Sequence, residues 1–494
     1  MFALLDRSRT VAPPGYCRWL VPPAALAVHL SIGQSYALSV FSIPLSRGLG
    51  IDHTAAGDWE QSSTIWMFNL AFCCLGLSAA VFGTWVERSG PRRTMVASAS
   101  CFAGGFLVSA LGVHLHSLSL LLLGYGVLGG IGLGLGYIAP VSTLLKWFPD
   151  RPGMATGLAI MGFGGGAMLG SPLAMLLMEH FASSTSNGVA ATFLALGAIY
   201  FAMMLFGAAI VRVPPPNFAP GASVRDLRPA MTAPPDGSTA REAIRTRSFW
   251  LVWTVLFCNV TAGIGILGQA SPMIQEMFST SSGAAAGFVG LLSLSNLVGR
   301  FLWSSLSDRL GRKRTYAVYL SLGMGLYALL PGAASIGSQW LFVAASCVIL
   351  SMYGGCFATV PAYLRDLFGT REVGAIHGRL LTAWSLAAIV GPSAMAYVRD
   401  HEIARGVAKA EVYSGTIYGL VALLGVGLLA NAFVRPRAVA RPASDRAVSS
   451  VGDVPIVVSA RIPWMTLFLW WSAVLVPLAW GVAQVVSKAM VLFA

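Results

Sequence analysis

Arg300 is the residue whose position constrains the chemistry most. It lies inside an apolar run, eight residues before Asp308. On a helix rising 1.5 Å per residue, that puts it about 12 Å inward from the polar end of the run. An Arg at such depth costs at least about 2.5–3.5 kcal/mol and normally faces a cavity with a partner. The nearest Asp and Glu residues stand at the ends of apolar runs, so none is spaced to neutralise it. A buried fork of N–H donors without a counter-ion calls for an anion, ideally a carboxylate held through two parallel hydrogen bonds. The competing reading, a side chain snorkelling to the near polar face, needs no ligand.

Tyr137 precedes Lys146 by nine residues, so it lies about 14 Å deep and level with Arg300. Its hydroxyl, those of Tyr36 and Tyr353, and the Gln34 amide could bond a carboxylate. Core packing or helix–helix hydrogen bonding is the plainer use of each. Trp384 offers an apolar wall that could stack on the Arg300 plane, or could simply fill space between helices. His29 and His377 are protonatable groups inside apolar runs, where a lone His more often joins two helices than relays a proton. The inventory also excludes classes. HExxH, a Ser/Lys or Asp dyad at depth, a Walker pattern and paired cysteine spacing are all missing from the sequence. An enzyme, a metal centre, a nucleotide or any other cofactor is therefore not expected.

The elements that position these residues must cross a membrane. Of 494 residues, 56% are hydrophobic and 10% charged, with mean hydropathy +0.72, against about 25% charged in soluble domains. Apolar runs long enough to span about 30 Å of hydrocarbon fall at 20–46, 62–86, 94–113, 117–147, 151–178 and 189–212. After a Pro-rich polar stretch come 248–276, 284–306, 314–334, 338–366, 373–398 and 412–434, and a last one at 463–488. The first is read as a retained helix, not a cleaved signal. This divides the chain into a six-helix half (1–212), a linker (213–247), a second six-helix half (248–435), a second linker (436–461) and one additional helix (462–494). Gly162, Gly166 and Gly170, like Gly126 and Gly130, recur every fourth residue and allow close helix approach.

Arg and Lys concentrate in alternate loops: Arg88, Arg92 and Arg93, then Lys146 and Arg151, the first linker, Arg309 to Arg314, and Arg365 and Arg371. The positive-inside bias makes those loops and the N-terminus cytoplasmic. It also explains the net charge of +13 without nucleic acid as a partner. The chain repeats itself as well. Gly83-Thr-Trp-Val-Glu87-Arg88-Ser-Gly90-Pro-Arg92-Arg93 is matched by Ser304-Ser-Leu-Ser-Asp308-Arg309-Leu-Gly311-Arg312-Lys313-Arg314, offset 308 − 87 = 221; Pro172 and Pro392 give 220. A parallel repeat of this kind places a site near the midplane between the halves. Acids and bases at these helix ends (Glu87, Arg88, Arg92, Arg93, Asp308, Arg309 and Arg312, with Gly90 and Gly311 at the turns) could bridge helices in one state and part in another. Solvated topology charges are the alternative.

The repeated G-x-x-x-[DE]-R-x-G-x-[RK]-[RK] loop, twelve spans and a long central linker resemble the major facilitator superfamily over roughly residues 15–435. Gly33-Gln34-Ser35-Tyr36, Tyr137-Ile-Ala-Pro140, Lys146-Trp147-Phe148-Pro149-Asp150-Arg151 and Phe357-Ala-Thr359-Val-Pro361 are most similar to its oxalate–formate antiporter group. The residues from Trp464 onward resemble a single-helix companion of such transporters, here fused. The resemblance implies an all-α polytopic membrane protein with two pseudo-symmetric six-helix bundles plus one additional C-terminal transmembrane helix, monomeric in a bacterial inner membrane. It also implies a substrate-binding role for Arg300. The group's second cation, a Lys, is Trp384 here, which points from a dianion to a monocarboxylate. Asn296 stands where proton-coupled relatives place an Asp, which favours exchange or uniport over proton symport. A non-transporting sensor on the same fold is the reading from another class.

Overall fold

An apolar segment in hydrocarbon must close its backbone hydrogen bonds internally, which leaves helices as the economical choice. The computed structural model describes residues 5–13, 16–51, 53–215, 218, 237–408, 411–435 and 464–489. Among these, thirteen helices are long and apolar enough to span a bilayer. They are α1 (Arg18–Leu45), α2 (Trp66–Ser89), α3 (Pro91–His114), α4 (Leu118–Trp147), α5 (Pro152–Phe181) and α6 (Val189–Ile210). The second set is α7 (Arg247–Phe278), α8 (Ala284–Leu310), α9 (Arg312–Ser335), α10 (Gln339–Phe368), α11 (Val373–Ala404) and α12 (Ser414–Phe433), followed by α13 (Trp464–Ser487). The linker 436–461 and most of 213–247 lie outside the described residues.

Helix ends depart from the hydropathy reading where charges are paired. The reading stops α11 at 398, whereas the helix runs on to Ala404 because Arg399 bonds Glu276 at the end of α7 (Nε to Oε2, 3.0 Å) and Asp400 (2.7 Å). At the other end of the bundle α2 and α8 run through the acidic residues of the repeated motif. They stop at Gly90 (φ +82°) and Gly311 (φ +85°), left-handed positions that suit glycine, and α3 and α9 start on the next residue.

Three spans depart from regular α geometry. α1 tightens to 3-10 geometry over Gln34–Phe41, α4 widens to π geometry over Leu122–Gly129, and α11 is interrupted at Leu381. Such segments are tolerated at membrane depth when neighbouring helices bury them. Helices α1–α6 and α7–α12 form the two bundles. These meet chiefly where α5 lies on α8 and α2 on α11, with α10 also touching α5. Small residues make these seams close: a Cβ on Gly378 would sit 2.2 Å from the Ala79 carbonyl oxygen, and one on Gly157 2.2 Å from Ser304 Oγ. The thirteenth helix packs outside both bundles, on α8, α5 and α1.

Candidate functional site

Arg300 reaches the centre of the α5–α8 seam and is completely buried (0% exposed). It does not snorkel. Its Nε donates to Asn296 Oδ1 one turn earlier (3.0 Å) and Nη1 to the Ile160 carbonyl of α5 (3.2 Å), while Nη2 has no protein partner. No salt bridge forms at Arg300 among the described residues. Two bonds thus tie the guanidinium down at Nε and Nη1, and Nη2 is left to bind something else. The neighbouring helices make way for the side chain: a Cβ on Gly164 would lie 2.9 Å from Arg300 Nε, and one on Gly354 3.0 Å from its Cγ.

Phe163 and Phe357 face the guanidinium, at 5.6 and 5.4 Å from ring centroid to Cζ, within cation–π range. Trp384 does not take that place. It forms the next layer, packed on Phe357 (4.4 Å between centroids), Phe72 (5.2 Å), Phe163 (5.3 Å) and Tyr137 (5.4 Å), with its Nε1 unpartnered. The two stacking rings are already close enough to Arg300 that the larger indole is held behind them.

Tyr137 is beside Arg300, as its depth requires, with its hydroxyl near the guanidinium but not hydrogen-bonded at normal geometry. His29 and His377 both pack against Tyr137 (ring centroids 5.3 and 5.8 Å). His29 Nδ1 is used by the Ala25 carbonyl, leaving Nε2 free, and neither nitrogen of His377 has a partner. Four helices (α1, α4, α8 and both segments of α11) therefore supply orphaned polar atoms to one buried layer. Burying polar groups unpaired costs free energy, which a polar ligand bound among them would relieve.

Tyr36 and Tyr353 meet across the halves, hydroxyl to hydroxyl at 3.2 Å. Tyr36 also lines a cavity of about 460 Å³ between the halves at the end away from the basic loops, with Thr64, Asn69, Gln269, Ser271 and Ser393. The tyrosine pair thus separates this vestibule from Arg300. Gln34 bonds within its own half: its Oε1 accepts from Tyr125 (2.9 Å), which in turn pairs with Ser35, while its Nε2 is buried without a partner. A further cavity of about 600 Å³ at the basic end lies within the first half, beside Glu87 and Lys146, and does not include Arg300.

Two matching contacts, or latches, join the halves at the basic end. Glu87 of α2 accepts from the backbone N–H of Gly374 at the start of α11 (3.0 Å), and from Ser142 and Lys146 (2.8 Å each). Asp308 of α8 accepts from the N–H groups of Gly153 (2.8 Å) and Met154 (2.9 Å) at the start of α5, and from Arg312 (2.5 Å). The acids are 221 residues apart (308 − 87), and so are the helix starts they cap (374 − 153). Each carboxylate sits on the helix N-terminus of the opposite half, where orphan N–H groups and the helix dipole favour negative charge. Arg312 also holds Asp366 (3.2 Å). Sequence reasoning missed the partners, because a backbone N–H has no residue-type signature.

The other motif cations do different work. Arg92 caps the carbonyls of Ala208 and Val211 at the end of α6, and Lys313, at the matching position, caps Ala432 and Val434 at the end of α12. These bonds stay within one half, so Arg92 and Lys313 cap matching helix ends. Arg88 and Arg309 are exposed, and Arg93 is half-buried outside the latch contacts.

Comparisons with known proteins bear on this geometry. A profile described as Major Facilitator Superfamily matches residues 24–392. The chain is 27% identical over 373 residues to the uncharacterized MFS-type transporter YhjX of Escherichia coli K12, covering 75% of this chain and 86% of that protein. It is 26% identical over 372 residues to the oxalate:formate antiporter of Oxalobacter formigenes (74% and 81% covered). To the apicoplast pyruvate carrier 1 of Toxoplasma gondii it is 28% identical over 377 residues (64% and 66% covered). In fold it is similar to the solved MFS transporter FucP in the outward conformation, with TM-score 0.59 over 85% of this chain at 14% identity.

Proposed function

The chain belongs to the major facilitator superfamily, and from that premise we propose that it carries a small organic anion, a monocarboxylate, by alternating access around Arg300. The observation that carries the reading is the Nη2 of a fully buried guanidinium, unpartnered and without an acid at hand, while Nε and Nη1 are fixed by Asn296 and Ile160. A carboxylate would neutralise the charge, take the free donor and reach the Tyr137 hydroxyl; Phe163 and Phe357 would exclude water and strengthen the attraction. The relatives named for oxalate, formate and pyruvate support a carboxylate class.

In this reading the basic end faces the cytoplasm of a bacterial-type membrane, so the conformation described is closed on that side. Substrate would descend the 460 Å³ vestibule, part Tyr36 from Tyr353 and bind Arg300. The halves would then rock until the Glu87 and Asp308 latches release. With Asn296 neutral beside Arg300, we read the cycle as exchange or uniport. Proton-coupled symport is the second reading, favoured by the unpartnered nitrogens of His29 and His377 in the same layer.

Vesicles reconstituted with the protein and loaded with labelled mono- and dicarboxylates test both. The expected result is monocarboxylate counterflow at steady lumenal pH. Acidification of the lumen with uptake would transfer the reading to symport, and movement of neutral solutes alone would end the anion assignment. Trp384→Lys provides a selectivity test. A second cation behind Phe357 should favour a dianion, shifting the dicarboxylate-to-monocarboxylate uptake ratio by about tenfold or more, equivalent to about 1.4 kcal/mol. An unchanged ratio would mean that Trp384 does not border the substrate.

A further inference from the structure

Helix α13 carries one buried stripe. Trp471, Val474, Leu478, Val482 and Val485, spaced three and four apart, pack on Leu26, Ala27 and Leu30 of α1, Met161, Met168 and Leu169 of α5, and Leu294 and Leu297 of α8. Its other face (Phe468, Leu469, Val476) is exposed. Trp471 Nε1 also donates to the Trp19 carbonyl at 3.1 Å. The helix therefore straddles the seam between the two halves.

What it covers is the α5–α8 seam beside Arg300. Helix α5 has glycine at 164, 165 and 166. Gly164 faces inward on Arg300, with 2.9 Å from its ideal Cβ position to Nε. Gly165 faces outward, where the corresponding point lies 3.0 Å from Leu478 Cδ1 and 2.4 Å from Leu297 Cδ1. One layer of glycine backbone thus separates the Leu478 methyl from the guanidinium. Further glycines fit α13 to both halves: Gly481 lies on the Met168 carbonyl of α5 (3.0 Å from its Cβ position), and Gly290 of α8 lies under Val485 (2.9 Å).

We infer that α13 is the bilayer-side wall of the Arg300 chamber, sealing the glycine-thinned α5–α8 seam against lipid acyl chains. The chemistry requires such a wall if the seam slides during the cycle, because an acyl chain wedged beside Gly165 would block Leu297 and the Arg300 backbone from moving past α5. Folding alone does not require it. The residues under α13 are apolar, and lipid would solvate them as well as Leu478 does, so helix association here rests on packing and not on a hydrophobic driving force. The inference rests on the site proposed above only in placing Arg300 at the chamber.

The test uses the full-length chain in vesicles containing a phospholipid with a diazirine in its acyl chain. Photolysis is followed by mass-spectrometric mapping of adducts. Gly481→Phe should lift α13 from the Met168 carbonyl, and Leu478→Gly should open the cover at Gly165. Both should raise lipid adducts at Leu297, Met161 and Met168 severalfold over the unsubstituted protein, with Gly481→Phe the larger. Equal adduct yields in all three proteins would overturn the seal. This readout uses no substrate, so it stands or falls separately from the carboxylate assignment. An unchanged adduct pattern with normal anion flux would refute the wall alone; raised adducts with no anion flux in any protein would refute the substrate reading alone.

Discussion

Arg300→Gln is expected to abolish anion flux while leaving the protein folded and somewhat more heat-stable. The two effects have one cause. In the resting protein the guanidinium is buried without a counter-ion, held by one side-chain oxygen and one carbonyl, an arrangement that penalises folding because an uncompensated buried charge is expensive. Removing the charge relieves that penalty. In the loaded protein the same charge is the partner of the substrate, and deleting one member of a buried pair costs about 3–5 kcal/mol, or roughly 10²–10⁴-fold in affinity. Loss of flux with an unchanged or raised Tm therefore assigns Arg300 to the ligand. Loss of both assigns it to the fold, and normal flux removes it from the site. Arg300→Lys refines the result. An ammonium keeps the charge but not the planar fork, and it loses the fixed geometry that Nε and Nη1 give the guanidinium. Weak residual flux is expected, with counterflow recovered only at high carboxylate concentration.

The depth of Arg300 and Tyr137 was legible because a helix converts residue count into distance, and both counts were measured from charged residues that mark the polar boundary. The span limits were legible for the same reason, except where paired charges such as Arg399–Glu276 let a helix run on into polar surroundings. The aromatic layer was only half legible. Phe163 and Trp384 are 221 residues apart and Tyr137 and Phe357 are 220 apart, so the repeat relates the four rings around the site. An apolar ring inside an apolar run nevertheless carries no signal until a repeat and a charged neighbour pick it out. Arg300 itself breaks the symmetry, since the matching position is Ala79. Gln34 was half legible, because its own half takes its Oε1 through Tyr125 while its Nε2 stays buried without a partner. The role of α13 was invisible, because an amphipathic stripe in hydrocarbon looks like any other lipid-facing helix until its glycine contacts are seen.

The latches carry the second large effect, on the conformational equilibrium and not on binding. Asp308 bonds two backbone N–H groups of α5, and Glu87 one of α11; their side chains are 16% and 9% exposed, so water screens the charge only partly. A hydrogen bond to a charged group contributes about 1.5–3 kcal/mol, and the lost interaction also leaves helix-end donors unpaired. Asp308→Asn should therefore shift the balance toward opening at the basic end by roughly tenfold or more. Glu87→Gln acts on the pseudo-symmetric site, which shares none of these residues, so the double substitution should add the two free energies. Arg88 and Arg309 are exposed, lie at the ends of α2 and α8, and take no part in either latch, so spin labels on cysteines placed there report the separation of the halves without disturbing the bonds under test. Electron–electron distance measurements should show a longer population growing from wild type to single to double variant. If the distribution stays where the wild type has it, the two carboxylates are helix caps that hold each end in place through the whole cycle, and the gate must be sought at the Tyr36–Tyr353 contact instead.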